Sequence, residues 1–330
     1  MTAPHGSTEE RRDELIVSIP QSLAGARVDR AVAMVSGLPR SQVDELVAAG
    51  HVQLDGTPVG SRRDLVRAGQ LLRVALPAPR PSGPVADPTV AFSVVYEDPH
   101  LVVVDKPAGL VVHHGAGHRS GTLVDGLLAR YPELGRPGVG PDPWRPGIVH
   151  RLDKGTSGLL VVARTPEAFT SLSAQLQAHE AGRDYVALVG GRVASDKGVI
   201  DAPIGRSSRV PTRMALTRGG RPARTSYRVL ARYAAPEPTS LLELQLETGR
   251  THQVRVHLAA IGHPVLGDER YGTGRVRPVA AMLPPGRVFL HAARLSFEHP
   301  DGRRMTWESP LPADLVAVVD HVAAEVLFDR

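Results

Sequence analysis

The chain has 330 residues and 42% hydrophobic content, enough for one large domain and a small one. It contains no cysteine, which excludes disulfides, thiol catalysis and cysteine-ligated zinc or iron–sulfur centres. A net charge of +5 and a pI near 9.9 favour a polyanionic partner. Of the 39 basic residues 36 are arginine, a skew that a genome-wide composition bias would also produce.

Residues 1–15 are polar, lack the apolar core of a signal peptide, and are expected to be loose. Residues 16–77 carry a small α+β pattern. Ser41 can cap a helix with Asp44 three positions on, Val43, Leu46 and Val47 form its apolar stripe, and Gly50 ends it. Val52 and Leu54 alternate with polar residues, Asp55-Gly56 is a hairpin turn, and Leu72, Val74 and Leu76 repeat the alternation. Five prolines between 77 and 88 predict a semi-stiff linker over 78–88.

From 89 to 330 strands dominate. The clearest are 94–96, 101–104, 159–162, 185–189, 241–246 and 288–295, with helical patterns at 122–130, 166–179, 251–261 and 312–325. This mixture predicts an α+β domain with a largely antiparallel sheet. No run approaches the ~20 apolar residues of a membrane span, so a cytoplasmic protein is expected.

One segment combines these features with chemistry: His150-Arg151-Leu152-Asp153-Lys154-Gly155-Thr156-Ser157-Gly158. Ile148-Val149 precede it and the buried-strand run Leu159–Val162 follows, so a carboxylate sits in a polar turn on a rigid mount. By composition alone this is a charged hairpin tip, with Thr156, Ser157 and Gly158 as turn residues. The string His-Arg-Leu-Asp followed by Thr-Ser-Gly, however, resembles the signature of the RluA-type pseudouridine synthases, RNA-modifying isomerases with one essential aspartate. That resemblance makes Asp153 the expected catalytic residue.

The resemblance extends over about 90–310. Asp105-Lys106-Pro107-Ala108-Gly109 through His113 is similar to the family's first motif, which supports the catalytic loop. Arg183-Asp184-Tyr185 is similar to its tyrosine motif, and Leu246 through His257 to its third. Leu290-His291-Ala292 and Phe297-Glu298-His299-Pro300 match its closing strand. Two departures are mild: Arg183 stands where lysine is common, and Gly155 where an acid is frequent. Residues 16–77 resemble the S4 RNA-binding module, with Arg27, Arg30, Arg40, Arg62, Arg63 and Arg67 as candidate phosphate contacts. Segment 1–87 nevertheless balances ten basic against ten acidic residues.

The resemblance implies the pseudouridine synthase fold, with a cleft across the central sheet. Its target base must leave the RNA stack. Arg151, two residues before Asp153, inherits the role of entering the gap. A carboxylate in a buried loop needs a cationic partner, and a bidentate arginine suits it. By its position after Thr248-Gly249-Arg250-Thr251-His252-Gln253, this partner falls on Arg255, with Arg250 as the alternative. His252 and Arg255 would share a helix face if the helix starts at Thr251. Tyr185 is expected to stack on the flipped uracil and is a candidate for the final proton removal at C5; from the residues alone it is a core tyrosine. Thr156 and Ser157 are expected to fix the loop through side-chain-to-backbone bonds. Lys106 and Lys154 read as solvated or as phosphate contacts.

Between Ala202 and Pro236 lie eight arginines and no acid, Arg213, Arg218, Arg221 and Arg224 at its centre. Such a one-sign tract suggests phosphate contacts; a solvated hairpin is the alternative. Gly155-Thr156-Ser157-Gly158 fails as a nucleophile elbow, and Gly115–Gly121 fails as a dinucleotide loop. His252 and His257 are five apart, off one helix face, and no His-Glu-x-x-His motif exists. The expectation is therefore a monomeric synthase, free of metal and cofactor and without a membrane partner, acting on structured RNA and most similar to enzymes of large-subunit ribosomal RNA. The alternatives are a transfer-RNA substrate or a non-catalytic S4-type binding protein.

Overall fold

The structure, a computed structural model, describes residues 14–76, 83–115, 118–272 and 278–324. The chain divides into two compact units, 1–81 and 82–330. Residues 1–13 of the expected loose segment 1–15 and the linker positions 78–82 lie outside the described residues.

In the first unit, β1 (Glu14–Ser18) precedes α1 (Val28–Ser36), α2 (Arg40–Ala48), β2 (Val52–Leu54), β3 (Thr57–Pro58) and β4 (Leu71–Ala75). The strands form an antiparallel sheet in the order β1-β4-β2-β3. Asp55 and Gly56 both have positive φ, 50° and 81°, as a two-residue hairpin turn requires. Gly50 adopts φ 73° after α2, so the amides of Gly50 and His51 cap the Val47 and Leu46 carbonyls.

Three expectations change here. The helix begins at Arg40 with Pro39 as its N-cap, so Ser41 lies inside the first turn and not at the cap. Asp44 instead pairs with Arg62 at 2.6 Å. Glu14 and Leu15 belong to β1, so the ordered unit starts before residue 16. Helix α1 was not foreseen, although Val28, Ala31 and Val32 have helical spacing and are all fully buried.

The second unit is built on a mixed sheet. It runs from β5 (Ser93–Glu97) and β6 (Leu101–Lys106) through β7 (Ser157–Ala163), β14 (Leu290–Glu298) and β8 (Gly182–Gly190) to β13 (Thr239–Leu246), β12 (Arg224–Tyr233) and β9 (Lys197–Asp201), with β15 (Arg304–Glu308) on β14. All pairings are antiparallel except β7 with β14. The hairpin β10 (Ile204–Arg206) and β11 (Met214–Leu216) stands apart.

Helices α3 (Leu123–Arg130), α4 (Pro166–Gln177), α5 (Gln253–Ala260) and α6 (Ala313–Ala324) flank the strands. β6 and β7 are apolar without alternation because both faces are covered. Val102, Val104, Leu160 and Val162 join the core with α3 and α6, while Leu101, Val103, Leu159 and Val161 pack on α4. Part of the proline-rich segment belongs to this unit, since the Asp87 amide donates to the Asp125 carbonyl. The extended linker is therefore shorter than 78–88.

Candidate active site

The loop carrying Asp153 ends where β7 meets β14. Gly158 sits at that junction with φ 113°, and a Cβ there would lie 2.3 Å from the Ala292 carbonyl oxygen. Glycine is what allows the parallel pairing Ser157–His291 and Gly158–Ala292 to form. Upstream, the Thr156 amide closes a tight turn on the Asp153 carbonyl at 3.1 Å, and the Gly109 amide holds the Lys154 carbonyl at 2.7 Å.

Lys106 is fully buried, not solvated and not a phosphate contact. Its Nζ donates to the Pro107 and Leu110 carbonyls at 2.8 and 2.9 Å, fixing the 107–110 turn that grips Lys154. Burial pushes its ammonium down to about 7 against the pull of the Asp153 charge. Thr156 and Ser157 do not make the expected backbone bonds. The Thr156 hydroxyl is buried without a partner among the described residues. Ser157 Oγ accepts from Arg287 at 2.8 Å and donates to His291 Nδ1 at 2.9 Å, because as the first residue of β7 its side chain turns into a buried polar network.

Asp153 is 16% exposed, and its Oδ2 accepts from Arg255 Nη1 at 3.0 Å. The expected bidentate pairing goes elsewhere: Arg255 Nε and Nη2 bond both oxygens of the fully buried Asp268 at 2.7 and 2.8 Å. Burial opposes the Arg255 charge, but Asp268 and Asp153 outweigh it and raise its pKa.

His252 lies 3.9 Å from Asp153. It is the N-cap of α5 with φ 57°, not a helical residue, because α5 starts at Gln253; helix-face spacing therefore does not explain its place beside Arg255. The Tyr271 hydroxyl accepts from the Met214 amide and donates to His252 Nδ1 at 2.7 Å, which leaves the imidazole proton on Nε2, the nitrogen nearest Asp153. Burial lowers the His252 pKa and keeps the ring neutral.

Tyr185 faces the same cleft, which encloses about 730 Å³. It is 6% exposed, and burial pushes its phenol up to about 12. Arg151 is exposed on the cleft wall, with Nη1 donating to His113 Nε2 at 3.0 Å. Arg250 and Arg221 also line it, and Arg250 Nε donates to the Pro222 carbonyl, leaving Arg255 as the arginine on Asp153. A polar cleft thus presents one carboxylate held by arginine, one buried tyrosine face and several exposed cations.

Residues 100–260 match the family model described as RNA pseudouridylate synthase. The chain is 42% identical to ribosomal large subunit pseudouridine synthase D of Nitrosomonas europaea, over 96% of this chain and 90% of that protein. It is 44% identical to the protein of the same name from Pseudomonas aeruginosa, over 90% and 92%. The solved structure of human RNA pseudouridylate synthase domain containing 1 superposes with a TM-score of 0.55 at 30% identity, covering 69% of this chain and 88% of that one.

The chain belongs to the RluA/RluD family of RNA pseudouridine synthases.

Two side chains that organise this synthase's cleft escaped the sequence reading. Asp268 follows a glycine in a loop, where its likeness to a turn residue hides it. Arg287 is fully buried, donates to the Gly155, Val288 and Leu290 carbonyls, and pairs with Asp314 at 2.7 Å. It clamps the Asp153 loop to β14 and α6, yet nothing local to 284–288 signals this.

The arginine tract is also not of one sign in space. Strand pairing sets Arg228 opposite Glu243, and the two bond at 2.8 Å. Arg224 pairs with Glu247 and Arg232 with Asp196, at 3.2 and 2.6 Å. Arg213 and Arg218, exposed beside β11, have no carboxylate partner among the described residues. On the small unit Arg27, Arg30, Arg40, Arg62, Arg63 and Arg67 are all exposed, with Arg27 and Arg62 paired to Asp29 and Asp44.

Proposed function

We propose that this synthase isomerises uridines in large-subunit ribosomal RNA, with Asp153 as the nucleophile. The observation that carries this reading is the Asp153 carboxylate, held at 3.0 Å by Arg255 in a cleft that Tyr185 also faces. The names of the relatives support the RNA class. The reaction breaks the C1′–N1 bond, turns the uracil, and joins C1′ to C5 with loss of the C5 proton. Asp153 drives the first cleavage. Tyr185, protonated at working pH, offers its ring to the flipped base. Arg151 fills the vacated stack.

The small unit is read as the S4-like RNA-binding module, supported by its exposed arginines. Arg213, Arg218 and Arg221 extend the phosphate-binding surface. A cofactor-free cytoplasmic monomer completes the proposal; the sequence carries no nucleotide-cofactor motif. Among the described residues no helix is long and apolar enough to cross a membrane.

The test is tritium release from large-subunit RNA labelled at uridine C5, comparing wild type with Asp153→Asn. Release by wild type alone is expected. Equal release by both removes Asp153 from the mechanism, and release by neither rejects this RNA as substrate.

A further inference from the structure

Arg183 lies two residues from Tyr185 on the same face of β8, roughly 7 Å along the strand. It is 6% exposed and lines the cleft. Among the described residues no carboxylate pairs with it. Its Nη2 donates to the Leu246 and Glu247 carbonyls at 3.4 and 3.2 Å, and its Nε–H is buried without a partner. The backbone at Gly249 passes so close that a Cβ there would lie 2.5 Å from Nη1.

A second donor nearby is also unpaired. His150 Nε2 accepts from the Val161 amide at 3.1 Å, so its proton sits on Nδ1, which is buried with no partner among the described residues. Arg221 and Arg250 line the same cleft, and the charges of Arg221 and Arg183 add to burial in lowering the Arg250 pKa.

A buried cation is costly unless an anion accompanies it. Here the protein supplies donors and positive charge and leaves the negative partner to the ligand. Uracil and ribose are neutral; the phosphodiester is the one anionic group of an RNA nucleotide. We propose that Arg183, with Arg221 and Arg250, forms a binding site for a single phosphodiester flanking the flipped uridine, while the base lies against Tyr185. This rests on the RNA reading above and adds to it one contact: a charged linkage beside the target uridine that Arg183 holds.

The experiment uses the full-length enzyme and a short RNA hairpin carrying a uridine mapped by tritium release. One flanking linkage at a time, 5′ or 3′, is replaced by an uncharged methylphosphonate. Neutralising one of the two is expected to lower wild-type kcat/KM by about 10- to 100-fold, the range of a charge-assisted hydrogen bond. Arg183→Gln should lose as much on the native hairpin and lose no more on the neutralised one. Arg183→Lys, which keeps the charge, should stay sensitive to the replacement. Indifference of the wild type to both replacements, or losses that multiply in Arg183→Gln, would overturn the site.

If Arg183→Gln fails to fold, the wild-type comparison still decides, with Arg250→Gln as the second variant. If wild type releases no tritium from any large-subunit RNA, the proposed function fails separately. The anion site is then judged with inorganic sulfate at low millimolar concentration. It should raise the Tm of wild type more than that of a folded Arg183→Lys, whose ammonium cannot reproduce the guanidinium fork; equal shifts reject the site.

Discussion

Arg255 gives its two-pronged edge to Asp268 and a single N–H to Asp153. The buried Asp268 thus sets the plane of the guanidinium, and the guanidinium sets the position of the Asp153 carboxylate. Asp268 also accepts from the Arg270 and Tyr271 amides at 3.0 Å, which ties this chain of contacts to the loop after α5.

Replacing Asp268 by Asn should therefore slow the chemical step while sparing RNA affinity. A charge-assisted hydrogen bond contributes about 1.5–3 kcal/mol, so a fall of about 10- to 100-fold in single-turnover rate is expected. Arg255→Lys should cost more, because an ammonium cannot serve both carboxylates in the planar fork. Single-turnover tritium release, with RNA binding measured in parallel, checks both; a change confined to binding would contradict this account.

The buried Lys106 makes stability depend on pH with a defined sign. Its folded pKa, about 7, lies below the unfolded value, so the unfolded chain binds the extra proton between pH 7 and pH 10.5. Unfolding free energy should rise with pH across that window as this penalty is relieved. Lys106→Met should be relatively most stable near pH 7 and lose its advantage towards pH 10. Both tryptophans, Trp144 and Trp307, lie in the second unit, so fluorescence-detected urea melts report on the relevant unit.

Arg287→Met removes the buried cation that clamps the Asp153 loop, and with it the ion pair to Asp314 and the guanidinium bonds to the Gly155, Val288 and Leu290 carbonyls. A loss of about 3–5 kcal/mol is expected, as for breaking other buried ion pairs. The same tryptophan melts measure it, and a loss under about 1 kcal/mol, the worth of a surface pair, would show the clamp to be dispensable.

Gly158→Ala places a methyl group against the Ala292 carbonyl at a backbone angle that disfavours any side chain. Strain of this kind costs about 1–3 kcal/mol before any clash is counted. Reduced Tm together with loss of tritium release is expected; an unchanged Tm would mean the β7–β14 junction tolerates the shift.

The salt dependence of RNA binding separates free arginines from paired ones. Arg213→Gln and Arg218→Gln should each reduce the slope of log K against log salt by about 0.7–0.9. Arg228→Gln should leave it unchanged, since Glu243 already neutralises that charge. A filter-binding titration at several salt concentrations measures the slopes.

Much of this protein was legible in the sequence. The runs 101–104 and 159–162 declare doubly covered strands because burial on both faces removes alternation. Asp55-Gly56 fixes its hairpin, since two successive positive φ angles suit few other residues. The string from His150 to Gly158 and the third motif, through their resemblance to the RluA-type synthases, single out Asp153 and Arg255, which the fold brings to 3.0 Å of each other. These signals are local: each rests on residues adjacent in the chain or repeating along it.

What only the tertiary structure decided is how distant segments share charge. Asp268 takes the fork of Arg255, Arg287 reaches back 132 residues to the Gly155 carbonyl, and Glu243 cancels Arg228 across a strand pair. The same holds for Arg183, whose importance comes from the lack of a carboxylate beside it. Ion pairing and burial depend on separation in space, and chain order does not encode that separation until the sheet has set its register.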